Sequence, residues 1–90
     1  MRVMIVESSA PLARLWSNHL CQQSANVDIA STESEAVEVL RRKKIDVIVL
    51  DLVLERGSAF AVADFARYVH PKTSIVFVTN TTFFSDGANQ

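Results

Sequence analysis

The chain has 90 residues, 49% of them hydrophobic and 21% charged, which describes one folded domain and excludes disordered and fibrous proteins. A formal net charge of −1 gives no attraction to nucleic acid or to an anionic membrane, so we expect neither as a direct partner. The lone Cys21 excludes a disulfide framework, and no apolar run is long enough for a signal peptide or a membrane span, so we predict a cytoplasmic protein.

Short apolar runs alternate along the chain with longer amphipathic stretches, a pattern typical of a βαβ protein. The first strand is predicted over Arg2 to Val6, because that run is continuous and rich in β-branched residues. A first helix capped by Ser9 follows, and a weaker second strand is predicted over residues 27–30. The apolar face of that first helix repeats at helical spacing and consists of Leu12, Leu15, Trp16 and Leu20.

The middle of the chain carries the clearest helix start and the strongest strand. Thr32 to Glu35 has the spacing of a capping box, which predicts the start of a second helix. Asp46 to Asp51 places four large apolar residues between two acids, and a central strand covered on both faces suits that pattern. The residues that the second helix is expected to bury are Ala36, Val39 and Leu40.

The last predicted elements complete an α/β architecture. A third helix should begin after Ser58 and stop at Pro71, and a fourth strand covers Ser74 to Val78. Right-handed crossovers between parallel strands then give a flavodoxin-like, doubly wound parallel sheet with the strand order 2-1-3-4. We place the domain over residues 1–80 and interpret residues 81–90 as a tail or as the start of a missing fourth-helix region.

Polar residues stand at the carboxyl ends of three predicted strands: Glu7, Asp51 and Thr79. Ligands of doubly wound sheets bind at these ends where the strand order reverses, and the predicted order makes Glu7 and Asp51 neighbours. Two carboxylates with backbone carbonyls form a hard oxygen site suited to Mg²⁺. Asp51 is then a candidate nucleophile towards a phosphoryl donor, and Thr79 a candidate hydroxyl contact for the transferred group.

Four segments of the chain follow a recognisable pattern: Val6-Glu7, the Asp-x-x-x-x-Asp run from Asp46 to Asp51, Leu50 to Leu54, and Val78-Thr79. With these segments the chain resembles the receiver domains of two-component response regulators, over nearly all of its length. The resemblance implies the flavodoxin-like fold and a signalling domain that is a substrate of phosphotransfer rather than an independent enzyme. It implies Mg²⁺ as cofactor and a histidine kinase or phosphotransfer protein as partner.

The resemblance also implies a role for individual positions. Asp51 would be the phosphoacceptor and a metal ligand, Glu7 a second metal ligand, and Val53 a third through its backbone carbonyl. Thr79 would be the switch hydroxyl. Ser8 stands where the family usually has a second acid, so Mg²⁺ should bind more weakly, with a water between Ser8 and the metal.

The family continues to a fourth helix, a fifth strand and a fifth helix that have no counterpart in these 90 residues, so we expect either a fragment or a domain that is completed by something else. A fourth strand with an open edge and a sheet face covered by one helix should promote self-association, through that edge or through exchanged elements. The alternative function is a receiver that no longer takes a phosphoryl group and works as a protein-interaction or dimerisation module. The candidate interface residues are Ile75, Phe77, Phe83 and Phe84.

Overall fold

The computed structural model describes residues 1–79, in which four strands alternate with three helices. Every predicted element is present, and the strand bounds agree with the prediction to within a single residue. The elements are β1 (Arg2–Val6), α1 (Ala10–Cys21), β2 (Asn26–Ala30), α2 (Glu33–Arg42), β3 (Val47–Asp51), α3 (Ala59–Val69) and β4 (Ser74–Val78).

The four strands form one parallel sheet in the order β2-β1-β3-β4, which confirms the predicted flavodoxin-like architecture. In the register, Val6 of β1 lies beside Leu50 of β3, and Asp51 lies beside Val78 of β4. All strands run the same way, so their carboxyl ends meet at one edge of the sheet. The strand order reverses between β1 and β3, which makes that edge the expected ligand site.

Each helix begins at a side chain that satisfies a backbone amide of its first turn. Ser9, Thr32 and Ser58 are the N-caps, as the sequence predicts, and the Thr32 hydroxyl accepts the Glu35 N–H at 3.1 Å. The Glu35 carboxylate accepts the N–H of Ser31 at 2.8 Å, one residue earlier than in a standard capping box. Hydrogen bonds from Ser31 lower the pKa of Glu35, because they favour its charged form.

The main core lies between the sheet and the helices α2 and α3. The three predicted core residues of α2 are buried, and three alanines on α3 are buried in the same core, where α3 packs against α2. The strand residues of this core are Met4, Val6, Ala30, Ile48 and Leu50, and the helix residues are Ala36, Val39, Leu40, Ala59, Val62, Ala63 and Ala66.

The opposite face of the sheet is covered less completely within residues 1–79. Helix α1 packs over β1 and β2, so the same face of β3 and β4 stays open, and Val76 is 48% exposed. Leu15 belongs to the predicted apolar face of α1, yet it is 63% exposed in the described part of the chain. An apolar groove results, lined by Leu15, Trp16, His19, Leu20 and Val49.

Strand β4 forms an edge of the sheet within the described residues. Ile75 packs against the main core, and Phe77 lies against Phe60 of α3 with ring centroids 6.0 Å apart. The other two interface candidates, Phe83 and Phe84, and the predicted tail lie outside the described residues. No helix within residues 1–79 has the length and apolar character that crossing a bilayer requires.

Candidate functional site

Two acidic side chains, Glu7 and Asp51, are buried at the carboxyl edge of the sheet, and each is 1% exposed. Asp51 is the last residue of β3, and Glu7 directly follows Val6, the register partner of Leu50. The two acids therefore follow neighbouring strands at the point where the strand order reverses, as the sequence predicts. Among residues 1–79 they are the charged side chains that the fold buries.

Each acid is oriented by the backbone that follows it. Glu7 Oε2 accepts the N–H of Ser9 at 2.9 Å, and Asp51 Oδ1 accepts the N–H of Val53 at 3.0 Å. The Asp51 bond reaches two residues ahead, which is the geometry of an Asx-turn. Its second oxygen, Oδ2, makes no hydrogen bond within the described part of the chain. That oxygen therefore remains available to react or to bind a cation.

The buried carboxylates of this site favour the binding of a cation. A buried carboxylate is costly unless a positive charge lies near it, and a second carboxylate close by adds repulsion. Asp51 takes part in none of the ion pairs that the described residues form. No group of three or more potential metal-binding side chains occurs in residues 1–79. Two carboxylates, backbone carbonyls and waters are nevertheless a set that Mg²⁺ accepts, so the residues present fit this metal.

Thr79 lies at the same edge, directly after β4 and exposed to solvent. The N–H of Leu52 donates to the carbonyl of Val78 at 2.9 Å, which ties the residue after Asp51 to the residue before Thr79. The structure therefore places Glu7, Asp51 and Thr79 at one edge, and the switch role of Thr79 stays a prediction.

The structure also shows hydrogen bonds that the sequence did not predict. The Ser8 hydroxyl accepts the N–H of Glu55 at 2.9 Å and lies 3.4 Å from the carbonyl oxygen of Ser31. Glu33 Oε1 accepts the N–H of Ser58 at 2.9 Å. These bonds join the loops that follow β1, β2 and β3. No local spacing indicates them, because their partners lie 47 and 25 residues apart in the chain. The water-mediated metal role of Ser8 remains a prediction.

The doubly wound parallel sheet of residues 1–79, with paired acids at its switch point, defines the class of this protein as an α/β domain with an acidic site at the carboxyl ends of its strands. Its sequence agrees with that class: the profile of the response regulator receiver domain matches residues 3–87. The chain belongs to the receiver domain family of two-component response regulators.

Similar proteins come from several bacteria. The chain is 31% identical over 75 residues to the luminescence regulatory protein LuxO of Vibrio campbellii, a match that covers 83% of this chain and 17% of LuxO. The non-phosphorylated HemR receiver domain from Leptospira biflexa superposes with a TM-score of 0.81 and 28% identity, covering 97% of this chain and 70% of that one. TrrA from Thermotoga maritima, solved in complex with Mg²⁺-BeF, superposes with a TM-score of 0.81 and 20% identity, covering 94% and 74%.

Proposed function

We propose that this receiver domain takes a phosphoryl group onto Asp51 from a histidine kinase or phosphotransfer protein, with Mg²⁺ bound at the site. The observation that carries the proposal is the position of Asp51. Its carboxylate is buried at the end of a central strand beside Glu7, with one oxygen held by the Val53 N–H and the other without a hydrogen bond in the described residues.

The transfer would be a single displacement at phosphorus. Asp51 Oδ2 forms the new O–P bond while the bond from phosphorus to the donor's imidazole nitrogen breaks, and that nitrogen keeps the electron pair. The Val53 N–H holds Oδ1 and so orients the carboxylate for attack. The Thr79 hydroxyl would then donate to an oxygen of the bound phosphoryl group.

Four groups of this chain would hold the metal. Glu7 and Asp51 supply carboxylate oxygens, Val53 supplies its backbone carbonyl, and Ser8 accepts a hydrogen bond from a bound water. Bound Mg²⁺ supplies positive charge that offsets the carboxylates and the incoming phosphoryl oxygens. The TrrA structure, which contains Mg²⁺-BeF, supports this extension to a chain of the same fold.

The expected result of incubation with acetyl phosphate and Mg²⁺ is one phosphoryl adduct in the intact mass of the wild-type chain. Asp51→Asn should carry none, because an amide oxygen is a far weaker nucleophile than a carboxylate. Asp46→Asn is the matched control: Asp46 precedes the same strand at its opposite end and should leave the adduct unchanged. An adduct on Asp51→Asn, or none on the wild type, would contradict the proposal.

A phosphorylation-independent receiver is the second candidate function, and Ser8 favours it. Its hydroxyl already accepts the Glu55 N–H, and it brings no charge to the metal site. Such a domain would work as a protein-interaction module in the cytoplasm. The acetyl phosphate experiment separates the two functions, since the second candidate requires that the wild type stays unmodified.

We further propose that the domain self-associates with a second copy through the edge of β4 and the open face beside it. Val76 is 48% exposed and Phe77 is 37% exposed on a strand that forms a sheet edge within residues 1–79. An apolar edge strand is a template for pairing with another chain. Leu15 of α1, on the same open side as Val76, adds apolar surface.

Val76→Lys is expected to shift the chain from dimer to monomer in size-exclusion chromatography with light scattering. If the β4 edges of two chains pair, the introduced ammonium group loses its hydration. That loss costs on the order of several kcal/mol. Tyr68→Lys adds the same charge to a side chain on α3 that is 83% exposed, and should leave the dimer intact. A wild-type chain that stays monomeric at every concentration would refute self-association.

A further inference from the structure

Besides the hydrogen bond from Leu52 to Val78 of β4, the loop between β3 and α3, residues 52–58, is hydrogen-bonded to the rest of the domain at two points outside its own strand and helix. It carries Val53, whose N–H donates to the acceptor carboxylate of Asp51. Any motion of this loop therefore moves a backbone group that touches the site. The contacts that hold the loop therefore affect the geometry of the site before a metal or phosphoryl group binds.

The first attachment is to the start of α2, through Glu33. The Glu33 N–H donates to the carbonyl of Arg56 at 3.1 Å, and its Oε1 accepts the N–H of Ser58 at 2.9 Å. Between those residues lies Gly57 at φ +100, so close that an added Cβ would overlap the side chain of Glu33. The carboxylate of Glu33 thus satisfies a loop amide that stands just before α3.

The second attachment is to the loop after β1, through Ser8. Its hydroxyl accepts the Glu55 N–H at 2.9 Å, and Ser31 offers a carbonyl oxygen at 3.4 Å for the hydroxyl proton. A hydroxyl has one proton and two lone pairs, so this arrangement leaves one lone pair for a water. An acid at this position would bring charge, whereas the serine brings a neutral link between three loops.

We propose that Ser8 and Glu33 are positioning residues, which together clamp the loop of residues 52–58 and set the backbone of Val53 against Asp51. The inference rests on the proposed metal site, because the clamp is expected to act by tightening the binding of Mg²⁺ there. The hydrogen bonds of the clamp are made by protein groups alone. Three hydrogen bonds with Ser8 and Glu33 reduce the number of loop conformations, so less ordering remains to be done when the cation binds.

Amide hydrogen exchange of the full chain without Mg²⁺ tests the clamp directly. Ser8→Ala should raise the exchange rate of the Glu55 amide by at least about fivefold, and Glu33→Ala should do the same for Ser58, since each loses its acceptor. Glu33→Gln keeps an oxygen acceptor and should restore protection. Ser34→Ala, at an exposed residue of the same helix, is the control.

A titration of the same variants with Mg²⁺ tests the consequence, read from the chemical shift of the Val53 amide. Ser8→Ala and Glu33→Ala should each weaken the Mg²⁺ affinity by about tenfold, the size of effect typical of groups that orient metal ligands. Glu33→Gln should bind Mg²⁺ nearly as well as the wild type. Because the clamp has two halves, one variant that fails to fold leaves the other to decide.

Unchanged exchange at Glu55 and Ser58 would overturn the clamp, and faster exchange with unchanged Mg²⁺ affinity would overturn its positioning role. A failure of the proposed function would give a different experimental result. In that case acetyl phosphate leaves the wild type unmodified, whatever the exchange rates and Mg²⁺ affinities of the clamp variants.

Discussion

Glu7→Gln is expected to weaken Mg²⁺ binding to the domain by at least about tenfold. The substitution keeps the size of the side chain and an oxygen that accepts the Ser9 N–H, now found 2.9 Å from Glu7 Oε2. It removes one of two buried negative charges at the carboxyl edge of the sheet. The affinity of a hard divalent cation depends on carboxylate charge, so the loss should appear in binding while the fold is kept.

Mg²⁺ affinity is measured from the shifts of the Ser9 and Val53 amides, which donate to the two carboxylates of the site. Glu38→Gln is the matched control, since it removes the same charge from an exposed position on α2. Equal affinities for wild type, Glu7→Gln and Glu38→Gln would show that Glu7 does not hold the metal.

Gly57→Ala is expected to lower the free energy of unfolding by about 1–3 kcal/mol. At φ +100 a residue with a side chain is strained, and here the new Cβ would also overlap the side chain of Glu33 and lie 2.7 Å from its Oε1. The start of α2 carries Glu33, so neither partner can shift without disturbing the hydrogen bond to Ser58. The substitution should therefore also raise the exchange rate of the Ser58 amide.

Urea denaturation gives the free energy of unfolding for this comparison. Arg56→Ala is the control in the same loop, at an exposed residue whose φ is not positive, and it should change stability by no more than about 0.5 kcal/mol. If the Gly57→Ala chain is as stable as the wild type, residues 52–58 do not lie against Glu33 at the start of α2.

The elements of this fold are predictable from the sequence because local signals agree with the global arrangement. Ser9, Thr32 and Ser58 cap helices where their spacing places them, and the apolar run ending at Asp51 forms a central strand. The parallel order then brings Glu7 beside Asp51 without further information, because strand ends meet at one edge.

The features that the sequence did not predict depend on contacts between distant residues. Leu15 has helical spacing with partly buried residues of α1, yet its own exposure depends on whether another element covers that side of the helix. The bonds of Ser8 and Glu33 to residues 52–58 have no periodic signal, because they join a loop to residues far away in the sequence. Gly57 is a local signal for the held loop, because glycine favours a positive φ and a positive φ often marks a tight turn.

Chemical mapping of the phosphoryl group tests the central claim most directly. Borohydride reduces an aspartyl phosphate to homoserine, so fragmentation of the treated, phosphorylated chain reveals which residue carried the group. The expected result is homoserine at position 51 after reaction with acetyl phosphate and Mg²⁺, and an unreduced Asp51 when Mg²⁺ is withheld. Homoserine at Asp28 or Asp46, or a phosphate that borohydride leaves in place on a hydroxyl, would contradict the assignment of Asp51 as phosphoacceptor.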